Sequence, residues 1–85
     1  MKLFRWIEWN VEKMRKHGVS VAEAESVVRN ARRPFPQKTG DDKWLVVGRG
    51  QGDRVLQVIY LLDSNDTIFI IHAMPLITRR RRGGR

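Results

Sequence analysis

His17 and His72 are the two histidines of an 85-residue chain that contains no cysteine. Histidine ordinarily titrates close to neutral pH, so it can take or give a proton in general acid–base catalysis. His72 stands near the end of the apolar stretch "TIFIIHAM", and His17 follows Lys16 directly and precedes Gly18. Each also has a structural reading: His72 as a strand histidine satisfied by a backbone or cross-strand partner, and His17 as a cap at a helix C-terminus. Lys13 and Lys16 are one helical turn apart, a spacing that lets both touch phosphate. Arg49 and Arg54 flank a hairpin turn, where arginine can clamp a phosphate with two N–H groups or stand as a solvated charge. Trp44 and Tyr60 can stack on bases, but aromatic residues on strands are more often core.

Other chemistries fall away on spacing. "DSND" lacks the remaining ligands of a calcium loop and has the length of a hairpin turn. Asp41 and Asp42 are adjacent rather than convergent, which does not make a two-metal site, and "GRGQG" does not sit in a strand-to-helix phosphate loop. No metal or cofactor is expected. Without cysteine, a disulfide framework, a thiolate zinc site and a cysteine nucleophile are all excluded. The chemistry left open is one that RNA allows: its own 2′-hydroxyl attacks the adjacent phosphate, helped by a base, a cation and an acid for the leaving oxygen.

The elements that must position these residues follow from pattern. "LFRWI" alternates as a short first strand. "WNVEKMRKHG" reads as a helix of about two turns, with Asn10 as N-cap, Trp9 stapled onto Met14 and Gly18 at the left-handed C-terminal position. "SVAE" reads as a capping box, Ser20 with Glu23, opening a second helix. That helix turns Val21, Ala24, Val27, Val28 and Ala31 to one side, with Arg29, Arg32 and Arg33 in its last turn. Pro34 ends it, and the prolines of "PFPQK" allow at most an edge strand. "KWLVVGR", "RVLQVIYLL" and "TIFIIHAM", separated by the turns "GQGD" and "DSND", then form an antiparallel meander. Alternation puts Ile70 and His72 on one face of the last strand. Both faces of the meander are apolar, so the helices should cover one face and leave the other partly open.

The net charge is +8 and the isoelectric point near 11.1, which points to a polyanionic partner such as RNA. Arg79, Arg80, Arg81, Arg82 and Arg85 supply five of those charges, leaving +3 for the body. The expected organisation is a single domain over residues 1–78 with an arginine-rich, solvated tail over 79–85. "MKLFRWIEWN" is broken by Lys2, Arg5 and Glu8 and offers no signal-peptide core, and no apolar run approaches a membrane span. The expectation is a soluble cytoplasmic protein without membrane contact.

"FRWIEWNVEKMRKHGVSVAEAESVV", "KWLVVGR", "RVLQVIY" and "TIFIIHA" together resemble the BrnT-type toxins of bacterial type II toxin–antitoxin systems, which are small RelE-like proteins. The likeness spans roughly residues 3 to 75, and its most specific piece is "KHGVS" leading into "EA". The resemblance implies an α+β, RelE-like fold, metal-independent cleavage of mRNA, and a hetero-oligomer with a cognate antitoxin. It also implies that Lys16 and His17 are the Lys-His pair of the family and that Arg49 is its arginine after glycine. The chain departs from the family after "IIHA". There the family usually carries an arginine and an acidic and basic C-terminal helix, whereas this chain has Met74, Pro75 and "TRRRRGGR". Met74 cannot neutralise a phosphate, so the implied ribonuclease would be weakened at that contact.

The expected fold is therefore two helices packed on an antiparallel meander, with a short N-terminal strand and a basic tail. The expected site holds Lys16, His17, Arg49 and His72 as catalytic residues. Lys13, Arg54, Arg79, Arg80, Arg81 and Arg82 are its RNA contacts. The alternative reading is a non-catalytic basic module that binds an acidic partner protein or nucleic acid.

Overall fold

The computed structural model describes residues 2–76; the expected arginine-rich tail, with Arg79, Arg80, Arg81 and Arg82, lies outside them. In chain order the elements are α1 (Glu8–Lys16), α2 (Val21–Arg29), β1 (Gln37–Lys38), β2 (Lys43–Arg49), β3 (Val55–Leu62) and β4 (Ile68–Pro75). The four strands form one antiparallel sheet in the order β1-β2-β3-β4, an uninterrupted meander. Its three long strands lie within one residue of the boundaries that the apolar pattern predicts. No helix among the described residues is long and apolar enough to cross a membrane.

Both helices lie against one face of the sheet. Val46, Leu56, Val58, Tyr60, Ile70 and Ala73 meet Met14, Val19, Ala24, Val27 and Val28 there in the buried core, with Trp44 packed against it. Burial of a side chain such as Leu56 is worth about 1.5–3 kcal/mol, so this layer is the main source of stability. Tyr60 and Trp44 are thus core residues, and burial raises the phenol pKa of Tyr60. Gly48 lets α2 approach β2: a Cβ there would come within 3.3 Å of the Val27 side chain.

The first segment joins as a single parallel bridge, Phe4 to Ile68, rather than as a full strand. The Arg5 N–H donates to the Ile68 carbonyl at 2.9 Å, and the Ile68 N–H donates to Leu3 at 2.8 Å. A second correction concerns Asn10, which is not the N-cap. The α1 helix begins earlier, at Glu8, and Asn10 is fully buried in its first turn. Its Oδ1 accepts from the Ile7 N–H at 2.7 Å, while its Nδ2 donates to the carbonyls of Arg5 (3.2 Å) and Ile70 (3.0 Å). One amide thus satisfies the helix start, the entering segment and the outer edge of β4. An exposed edge would invite pairing with another chain. Trp9 correspondingly leaves Met14 and stacks on Phe69.

The end of α1 follows the expected glycine logic. Gly18 adopts φ +69°, its N–H bonds the Arg15 carbonyl, and the Val19 N–H reaches back to Met14. This double closure lets the chain turn within a few residues. The Ser20 hydroxyl then accepts from the Glu23 N–H at 3.0 Å and starts α2. That helix ends at Arg29, so Arg32 and Arg33 lie beyond it.

Candidate functional site

The uncovered face of the sheet is built from rows of paired residues. Lys43, Leu61 and Phe69 form one row; Leu45, Ile59 and His72 the next; Val47, Gln57 and Met74 the third; Arg49 and Val55 open the fourth. Most of these side chains are partly exposed. His72 belongs to this face because of a β-bulge. Ile59 pairs with His72 while Tyr60 pairs with Ile70, leaving Ile71 as an extra residue. Ile70 therefore points into the core and His72 does not, which corrects the expectation that the two share a face. A bulge of this kind re-aims a side chain.

Helix α1 runs alongside β4 and extends this surface. From Trp9 to His17 the helix rises about 12 Å, while the bulge puts Phe69 and His72 in adjacent rows about 7 Å apart, and α1 meets β4 at both ends of that stretch. At one end the rings of Trp9 and Phe69 lie 6.0 Å apart and nearly parallel, at 13°. At the other, the imidazoles of His17 and His72 meet edge to face with centroids 5.9 Å apart. Lys13 lies between, its Nζ 5.0 Å from the Trp9 ring centre. Lys16 is exposed on the outer side of the same helix and lines a shallow groove with Ile7, Glu8, Trp9, Glu12 and Lys13.

The electrostatics of the pair are asymmetric. His72 has its pKa lowered, first by burial and then by the positive charges of His17 and Lys13. It is thus held as a neutral imidazole in cationic surroundings, a combination suited to accepting a proton beside a bound anion. Among the described residues, no three His, Cys, Asp or Glu side chains converge as metal ligands.

Of the two hairpin arginines, Arg49 stands apart from the histidines. Arg49 begins the fourth row, two strands across from β4 and two rows from His72, roughly 16 Å by strand geometry. Its guanidinium is exposed and faces Asp53 at 3.4 Å. Arg54 turns toward the helices. Its Nε donates to Glu23 Oε2 at 3.0 Å, one Nη bonds Glu23 Oε1, and that Nη also donates to the Gly18 carbonyl at 2.8 Å. The Gln51 N–H adds a bond to the same carboxylate at 2.7 Å. Glu23 is therefore more than half of a capping box: it is a buried acceptor that ties the β2–β3 turn to the α1–α2 junction. The Arg54 bonds hold its carboxyl below the usual range, against the opposing effect of burial.

So His17, His72 and Lys13 come together, with Lys16 adjoining and Arg49 at a distance, while Arg54 is occupied by structure. Sequence reasoning passed over Trp9, which is 49% exposed and forms part of the same surface. A tryptophan one helical turn from Lys13 and nearly two from Lys16 was the available signal.

The profile of the DUF4258 family, described as a domain of unknown function, matches residues 10–75. Among solved structures, the fold is similar to that of the Brucella abortus ribonuclease toxin BrnT, with a TM-score of 0.72. The two sequences are 18% identical, and the alignment covers 92% of this chain and 100% of that one. No curated protein matches the sequence.

Proposed function

We propose, from the premise that this chain belongs to the DUF4258 family and carries a BrnT-like fold, that it is a toxin-like ribonuclease of a type II toxin–antitoxin system. Its substrate is mRNA and its mechanism independent of metal. The observation that carries this reading is the imidazole pair, 5.9 Å apart beside Lys13 on an uncovered surface. At the scissile linkage, neutral His72 takes the proton of the 2′-hydroxyl. The freed oxygen attacks phosphorus, the bond from phosphorus to the 5′-oxygen breaks, and His17 gives that oxygen a proton. The products are a 2′,3′-cyclic phosphate and a free 5′-hydroxyl. Lys13 and Lys16 attract the phosphate, and the two histidines exchange protonation states in each turnover.

The same reading supplies a partner. Basic side chains beside a partly exposed apolar sheet face suit an acidic antitoxin protein, in a hetero-oligomer within the cytoplasm. A second reading, a basic module that binds without cleaving, is favoured by one feature: Met74 stands in the row between His72 and Arg49, leaving a stretch without a cation between them.

Purified protein assayed on mixed-sequence RNA with chelator present separates the two. Cleavage should yield cyclic phosphate ends and fall about 10²–10⁴-fold in His72→Gln and in His17→Gln. Intact RNA with the wild-type protein would remove the ribonuclease reading and leave the binding module.

A further inference from the structure

Trp9 is a large exposed aromatic residue, 49% accessible, on a molecule whose Tyr60 is buried and whose Trp44 packs against the core. Its ring orientation is preset. Phe69 backs it in a near-parallel stack, and the Arg5 guanidinium lies 4.2 Å from the Phe69 ring centre, itself anchored to Asp63 at 3.0 Å. Arranging an aromatic surface before a ligand arrives lowers the entropy cost of binding. Asn10 and Met14 make the buried contacts of α1, so the half of the indole not packed against Phe69 is left on the surface.

We propose that Trp9 is a stacking subsite for one unpaired RNA base. The inference rests on the reading above in one respect, that the ligand is single-stranded RNA. Aromatic faces beside cations are how such strands are held: bases stack on the ring while lysines follow the phosphates. Lys13 and Lys16 line the same groove and supply those charges; the Lys13 Nζ, 5.0 Å from the Trp9 ring centre, moves off the ring to meet phosphate as the base stacks. Glu8 and Glu12 line the same groove and repel phosphate, favouring a backbone path beside Lys13, Lys16 and the histidine pair. Trp9 and His17 are about 12 Å apart along the helix. The stacked base therefore belongs to a neighbour of the nucleotide being cleaved, and the subsite adds affinity without touching the reacting atoms. Stacking of this kind tolerates any base, so it favours unpaired over duplex RNA rather than one sequence over another.

The test measures binding with an uncleavable probe, a short 2′-O-methyl oligoadenylate, and with the same backbone lacking its bases. Trp9→Leu keeps the apolar contact with Phe69 and removes the extended ring; Trp9→Phe keeps an aromatic face. Trp9→Leu should raise Kd for the oligoadenylate by about 5- to 150-fold, with Trp9→Phe recovering most of the loss. Binding of the abasic backbone should be the same in all three proteins. Equal weakening on both probes would make Trp9 a structural support and overturn the proposal. Unchanged binding of oligoadenylate by Trp9→Leu would overturn it too, and if that variant also loses an antitoxin that the wild type binds, Trp9 belongs to a protein interface. Wild-type protein that binds neither probe would bring down this inference together with the RNA reading, whereas normal binding with no Trp9 effect brings down the subsite alone.

Discussion

Met74 pairs with Gln57 in the row between His72 and Arg49, on the uncovered face. A long cation at that position would stand about 7 Å along the strand from His72. It would also be near enough to Arg49 for both guanidinium groups to reach one phosphate. If the protein is a ribonuclease short of one phosphate contact, Met74→Arg should raise cleavage on the order of a hundredfold, the effect of a well-placed donor worth about 3 kcal/mol. Combining it with Arg49→Ala should lose most of that gain. A folded Met74→Arg protein that leaves RNA intact in the chelator assay would end the weakened-ribonuclease reading. His17, His72 and Lys16 were legible as candidates from residue type and motif alone. That His72 faces out was not, because neither glycine nor proline marks the extra residue at Ile71 in an unbroken apolar run.

At the scale of elements, the site depends on how α1 and α2 are fastened to the sheet. Asn10 secures α1 to β4 through its bond to the Ile70 carbonyl, and to the entering segment through its bonds to Ile7 and Arg5. Glu23 secures the start of α2 to the β2–β3 turn through Arg54 and Gln51. Gly50 belongs to the second fastening, since a Cβ there would fall 2.3 Å from Glu23 Oε2 and 3.0 Å from Leu56. The carboxyl of Glu23 has its pKa lowered in the folded state, chiefly by the Arg54 bonds. The folded protein therefore binds that proton less readily than the unfolded chain, and the contribution to stability is present above the ordinary carboxylate pKa near 4.5. It is lost as pH falls through the lower folded-state value. Glu23→Gln should accordingly lower the Tm at neutral pH, and the gap from wild type should close below about pH 4.5. His72 adds a separate acid sensitivity of its own, with stability falling as pH drops below its ordinary value of 6.5 toward its lowered one. It cancels in the comparison because both proteins carry it. A gap that stayed constant down to strong acid would show that Glu23 is not held as a carboxylate. The end of α1, the start of α2 and the three long strands were readable because the Gly18 and Ser20 signals and the change of period agree, whereas the start of α1 and the end of α2 were not. The fastenings were not, because Asn10 reaches Ile70 and Glu23 reaches Arg54 across distances in sequence that local patterns do not encode.

For the whole molecule, positive charge comes from two parts of the sequence. Helices on one face of the sheet leave the other to carry the site, and the +3 of the body is modest beside the five arginines of residues 79–85. If RNA binding is carried by the site, it should depend on Lys13, Lys16 and the histidine pair; if it is carried by bulk attraction, it should depend on the arginines. Salt distinguishes these, because each phosphate neutralised on a single strand adds about 0.7 to the slope of log affinity against log salt. Removing residues 79–85 should therefore reduce that slope by up to about 3.5 if all five arginines meet phosphate, and lower affinity most at low salt. Cleavage at saturating RNA should persist, because attraction distributed along a chain end raises encounter and affinity but does not align a reacting group. The measurement is Kd for an uncleavable single strand between about 50 and 200 mM salt, with and without the seven terminal residues. An unchanged slope would assign the RNA contacts to the body, and a loss of single-turnover rate at saturating RNA would assign the arginines a place in the site itself.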